Sequence, residues 1–117
     1  TGGMSVDPDD ITRFAIRRIG AEGILYGSPV LPGAMVLIAY LRMNSIDNHH
    51  RDMSGVIPIV GVPACGMYHK TTVFDLILPR LLAGEQISRE DLALLGHGGL
   101  CLHCSECTYP LCPFGKN

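Results

Sequence analysis

The sequence contains no cluster of lysine and arginine, few charged residues (17%) and a net charge of only −2. A chain without a basic patch lacks the field that draws phosphate backbones or anionic lipid, which argues against nucleic acid or a membrane surface as the main partner. There is also no long unbroken apolar run. The most apolar window, Val30 to Leu41, is interrupted by Pro32-Gly33 and is too short to span a bilayer. No signal-peptide pattern opens the chain, so a cytoplasmic location is expected. A starting methionine is missing too. The chain opens on Thr1-Gly2-Gly3, a glycine turn of the kind that a preceding strand delivers, and a fragment or processed chain is expected. At 117 residues it has room for one domain with a real core.

Organisation centres on Ile57 to Leu82. Val56-Ile57-Pro58-Ile59-Val60 is too short for a helix and rich in β-branched residues, and it reads as a buried strand. Gly61-Val62-Pro63-Ala64-Cys65-Gly66 then turns the chain, because Pro63 has no N–H to give a continuing ladder. Apolar residues at 67, 73, 74, 77, 78, 81 and 82 predict a helix from Met67, kinked or broken near Leu78 by Pro79 and ended by Gly84. Strand, turn and helix make half of a βα unit, whose helix N-terminus offers N–H groups to a phosphate or carboxylate; a plain connection without ligand reads equally well. His69 and Lys70 are expected in that helix's first turn, within reach of an anion or simply solvated.

Before this unit, Asp7-Pro8-Asp9-Asp10 reads as a helix start: Asp7 as cap, Pro8 at the first helical position, and Asp10 at the positive end of the dipole. The helix should run to about Ile19 with Ile11, Phe14, Ala15 and Ile19 on its inner face. Ile24 to Tyr26, Pro29 to Leu31 and Ala34 to Leu41 read as extended, strands being favoured. Asn44 to Gly55 reads as an exposed loop, its His49-His50 solvated rather than metal-binding.

Three of these segments together resemble molybdenum-cofactor biosynthesis proteins. TGGMSVDPDDIT is similar to their TGG-x-[GS]-x-x-P-x-D-x-T turn. VLPGAM is similar to the Pro-Gly turn of the molybdenum-insertion domains, and IPIVGVPACGMYHKTTVFDLILPRL to their P-V-x-G-L-P-G-N-P strand-turn-helix. The resemblance spans roughly Thr1 to Leu82, and three motifs in the right order are more specific than any one. It implies a three-layer α/β/α molybdopterin-binding fold, of which this chain is the C-terminal portion over residues 1–95. It further implies that Gly2, Gly3 and Ser5 line the ligand, that Asp10 matches the family's acidic, catalytic position, and that Pro32, Gly33, Gly61 and Pro63 wall the pocket. The expected activity is binding of molybdopterin or the molybdenum cofactor in its biosynthesis or delivery, with adenylyl- or molybdenum-transferase chemistry as its enzymatic form. Molybdoenzymes or other cofactor-pathway proteins are the implied partners, and a homo-oligomer the implied assembly. Ala34-Met35 stands where the family often has a basic residue, and Ala64-Cys65-Gly66 where it has Gly-Asn-Pro; a lost positive charge weakens anion binding.

The end of the chain is different in kind. Ile87 to Leu95 reads as a short helix capped by Ser88 with Asp91 three residues on. Residues 96–117 then carry Cys101, Cys104, Cys107 and Cys112 in a C-x2-C-x2-C-x4-C-P run. Four thiols so close in a cytoplasmic chain point to metal rather than disulfides. The run is one residue longer than the bacterial ferredoxin spacing, and a tetrahedral zinc site satisfies the same ligands, so zinc and an iron–sulfur cluster both stand, as does a reduced tail. His97 and His103 read as loop residues and Cys65 as a small turn residue. A second function follows from this tail: a zinc or iron–sulfur sensor or electron-transfer module on a reused α/β platform.

Overall fold

The computed structural model describes Met4 and residues 7–43 and 55–116; Gly2, Gly3, Ser5 and His49-His50 lie outside the described residues. The described chain is a mixed α/β unit: α1 (Thr12–Arg18), β1 (Glu22–Tyr26), β2 (Leu37–Arg42), β3 (Val56–Gly61), a 3-10 turn (Ala64–Met67), α2 (Val73–Leu82) and α3 (Arg89–Leu94). The strands form one antiparallel sheet in the order β1-β2-β3. The β2–β3 ladder is regular from Leu37 opposite Gly61 to Arg42 opposite Val56, whereas β1 shifts register between Glu22 and Leu25. Among the described residues no helix is long and apolar enough to cross a membrane.

The central strand is buried on both faces, which is why its sequence is a continuous apolar run rather than an alternation. Leu37 and Ala39 pack with Met4, Ile16 and Ala21 on one side. Ile38 and Tyr40 pack on the other with Val30, Val36, Val73, Ile77, Leu81, Ile87, Leu92 and Phe114. Each fully buried Leu or Ile here contributes about 1.5–3 kcal/mol. The Tyr40 hydroxyl accepts from Ile87 N at 2.6 Å, so its polar tip stays satisfied inside the core.

Several boundaries differ from those the sequence predicts. The first helix starts at Thr12, not at Pro8, because the acidic residues close local turns instead of capping it. Asp7 Oδ1 accepts from Asp9 N at 3.0 Å, and Asp10 Oδ1 from Thr12 N at 2.9 Å. Its inner face is also different. Ile16 is the buried residue, while Ile11, Phe14 and Ile19 are 75, 57 and 58% exposed. Val56 to Gly61 is a strand as expected, but partly exposed rather than buried, since it lies at the edge of the sheet. An edge position also accommodates Pro58, which has no N–H for a second neighbour.

The long helix begins six residues later than its apolar spacing indicates. A 3-10 turn takes Ala64 to Met67, and Thr72, in extended conformation, then opens α2 with a capping box: Thr72 Oγ1 accepts from Phe74 N while Asp75 Oδ2 accepts from Thr72 N. Pro79 does not break the helix, which runs through it to Leu82. Pro79 removes the N–H that would have served the Asp75 carbonyl, and the Tyr109 hydroxyl donates to that oxygen instead, at 3.3 Å. The last helix matches its predicted capping box, with Ser88 Oγ accepting from Asp91 N and Asp91 Oδ2 from Ser88 N.

Pro32-Gly33 is buried against the start of α2. The Pro32 carbonyl accepts from Val73 N at 3.0 Å, and a Cβ placed on Gly33 (φ +119°) would lie 2.5 Å from Val73 Cγ1 and 2.9 Å from Val73 N. Gly33→Ala is therefore expected to destabilise the fold by about 1–3 kcal/mol, as overpacking does. At Gly66 an added methyl meets only ordinary contact, 3.5 Å from Val62 Cγ1, and Gly66→Ala should stay within about 0.5 kcal/mol. Urea unfolding of both variants checks the contrast.

Arg80 donates to Asp91 Oδ1 at 2.8 Å and to Glu85 Oε2 at 2.7 Å, tying α2 to α3. That guanidinium, and then the Ser88 hydroxyl and N–H, hold the Asp91 carboxyl well below the usual carboxylate range. A depressed folded-state pKa means that its stabilisation is present above the ordinary Asp value of about 4 and is lost as pH falls through the lower folded value. Asp91→Asn is expected to be less stable at neutral pH and to lose stability less steeply below about pH 4, read from urea midpoints across that range.

Candidate functional site

The cysteine segment contains no regular helix or strand, and its shape comes from how its ends are pinned. Leu31 N donates to Gly99 O and Cys101 N to Leu31 O, both at 2.8 Å, making a short parallel bridge. At the far end Gly115 N donates to Gly98 O at 2.9 Å, closing the segment into a loop. Phe114 is only 4% exposed and sits in the same core as Ile38 and Ile77, with Cys101, Tyr109 and Cys112 packed against it. The Tyr109 hydroxyl on the Asp75 carbonyl fastens the middle of the loop to α2.

So fastened, the loop folds over the residues that precede α2 and borders a partly open cavity of about 200 Å³. Cys101, Cys104, Cys107 and Cys112 all line it, together with His69, Lys70, Thr71 and His103. Cys101 and Cys112 are half-buried, Cys104 and Cys107 exposed, and all are free thiols. Among the described residues no group of three or more His, Cys, Asp or Glu is placed so that it could hold a metal ion. His69 and His103 have their rings 5.0 Å apart, so the two sides of the cavity touch through them. His69 and Lys70 thus belong to the cavity wall rather than to the first turn of α2, where the sequence placed them.

Thr71 is a cavity residue that sequence reasoning missed. It is 5% exposed, and its hydroxyl lies 3.5 Å from Cys107 Sγ. No spacing rule marks it, because the contact joins residues 36 positions apart. The Thr71 hydroxyl, and after it the Tyr109 backbone N–H, pull the Cys107 thiol below its ordinary pKa.

The residues that carry the molybdopterin resemblance lie elsewhere; none of Asp10, Pro32, Gly33, Gly61 and Pro63 lines the cysteine cavity. Asp10 is half-buried at the entrance to α1, and Pro32, Gly33 and Pro63 are buried. Gly61 is in contact range of Met4: a Cβ there would lie 2.8 Å from Met4 Cγ and 3.0 Å from Leu37 Cβ. The start of α2 is not the open anion site its sequence indicates. Thr72 N is taken by Asp75, Val73 N by Pro32, Phe74 N by Thr72 Oγ1 and Asp75 N by Thr72 O. A helix end whose donors are all engaged has none left for a phosphate.

No family model, curated protein or solved structure matches the chain.

In the metal-free protein, Cys107 should be alkylated by iodoacetamide at a lower pH than the same cysteine in Thr71→Val, because the valine removes the hydrogen bond that favours the thiolate. Peptide mass spectrometry across a pH series reads the shift; superimposable profiles would show that Thr71 does not tune the thiol.

Proposed function

We propose that this protein binds molybdopterin or the molybdenum cofactor, in the biosynthesis or delivery of that cofactor. The observation that supports the reading best is the convergence of the three resembling segments, far apart in sequence. Met4, from the TGGMS segment, packs at Gly61 of the strand-turn-helix motif. Pro32-Gly33, from the second motif, packs on Val73 of the third. Segments shared with a ligand-binding family are expected to meet if they build one site. The three-layer fold belongs to the same reading: β2 sends Leu37 and Ala39 towards Ile16 of α1 and Ile38 and Tyr40 towards α2 and α3.

Under this reading the ligand's phosphate is held by Gly2, Gly3 and Ser5 and by the Gly61 to Pro63 segment, since the α2 amides are engaged. In the enzymatic form, a nucleotidyl or molybdenum transfer, Asp10 is the acidic residue. One of its structural contacts is the acceptance of Thr12 N–H, which Asn, nearly isosteric, reproduces. Asp10→Asn is therefore expected to leave folding intact and abolish turnover.

The test is an anaerobic titration followed by the pterin's own fluorescence, which the chain, lacking tryptophan, does not obscure. Saturable binding weakened by Ser5→Ala is the expected result. No binding removes the reading.

A second reading is favoured by a separate observation, four thiols lining one cavity. In it the cysteine segment is a zinc or iron–sulfur module, for sensing or electron transfer, and the α/β body is its platform. Pterin binding that persists in Cys101→Ser/Cys104→Ser, with function lost, assigns the activity to that module.

A further inference from the structure

Within the second reading, on which this inference rests, the cavity distinguishes between the two metals. A single tetrahedral zinc with Zn–S bonds of about 2.3 Å brings its sulfurs to roughly 3.8 Å from one another, which is mutual contact with no space between them. Here Cys101, Cys104, Cys107 and Cys112 all line one shared, partly open space of about 200 Å³. As placed here, no three His, Cys, Asp or Glu among the described residues could hold a metal ion; a single zinc would have to draw four thiolates into mutual contact, a larger centre less far. Four sulfurs spread around a sizeable volume suit a polynuclear centre, which fills the middle itself.

Spacing agrees. Zinc ribbons pair two C-x2-C knuckles across a long insert, whereas Cys101, Cys104 and Cys107 follow one another at x2 intervals, as in the bacterial iron–sulfur run. In that run the fourth cysteine ligates the other cluster of a two-cluster protein. In this structure the longer x4 insert, turned through Tyr109-Pro110 and fastened by the Tyr109 hydroxyl, returns Cys112 to the cavity of the first three. A complete set of four cysteines therefore lines one space.

We infer that the cavity is a site for one four-iron, four-sulfide cluster held by Cys101, Cys104, Cys107 and Cys112, with the Thr71 hydroxyl donating to Cys107 Sγ. A metal-bound thiolate has no proton to give, so Thr71 is the donor in that contact. Lys70 on the cavity wall offsets part of the cluster's negative charge. Thr71 acts through Cys107 and is a positioning residue. A hydrogen bond to a cluster sulfur favours the reduced state and raises the reduction potential.

The experiment reconstitutes the protein anaerobically with ferrous iron and sulfide, in parallel with a competing addition of zinc, and measures iron, acid-labile sulfide and zinc per chain after desalting. About four iron and four sulfide per chain are expected, with a paramagnetic signal after dithionite reduction. Cys65→Ser, outside the cavity, keeps this content, while Cys104→Ser and Cys107→Ser lose it, with circular dichroism confirming that the variants are folded. One zinc per chain without sulfide would overturn the cluster and leave the metal reading standing. Retention of neither metal would remove both. In Thr71→Val the iron and sulfide content is expected to stay and the potential to move to a more negative value. An unchanged potential at full cluster content overturns the role given to Thr71.

Discussion

The first turn of α2 is the constraint on which the rest of the structure depends. Its backbone donors are all engaged, and the Pro32 carbonyl takes the one at Val73. Because Gly33 has no Cβ, the turn can come this close. With that contact made, Val73 and Ile77 are placed beneath Ile38 of the central strand, and Thr71 and Lys70 just ahead of the helix face the cysteine loop. A single buried junction thus orients both the core of the body and one wall of the cavity.

The cysteine loop depends on the same helix in a second way. Pro79 leaves the Asp75 carbonyl without its helical donor, a defect costly to bury unless another group supplies a hydrogen. Tyr109 supplies it from the middle of the loop. A residue that weakens a helix in isolation becomes an attachment point, and a segment with no secondary structure of its own gains a fixed position. Phe114 completes the attachment by entering the main core.

The two candidate sites are therefore separate in space but joined through α2. The segments that carry the proposed molybdopterin site lie around β3, Met4 and the Pro32-Gly33 junction, while the cysteines lie around Thr71 and Cys107. Tyr109 is raised above its ordinary pKa by burial, then by the charges of Asp75 and Cys112. A phenol with an ordinary pKa of about 10 is already protonated at neutral pH, and the shift moves its ionisation further away, as its role on the Asp75 carbonyl requires.

What the sequence determined by itself was local. The Ser88–Asp91 capping box, the strand at Val56, the turn at Pro32-Gly33 and the thiol spacing follow from a few neighbouring residues, so they could be read without the fold. Tertiary structure decided what depends on distant partners. The inner face of α1 went to Ile16 because the neighbouring layer offered Leu37 and Ala39 on that side, leaving Phe14 outside. Helix α2 began at Val73 because Thr72 and Asp75 could close a box there, against a Pro32 carbonyl 41 positions earlier in the chain. Its amides were thereby lost as an anion site, although periodicity alone pointed to one. The four cysteines could be counted in the sequence, but that they surround one space, with Thr71 against Cys107, was set by long-range closure of the loop onto α2. Spacing along a chain cannot encode such closure, because it depends on contacts between residues tens of positions apart.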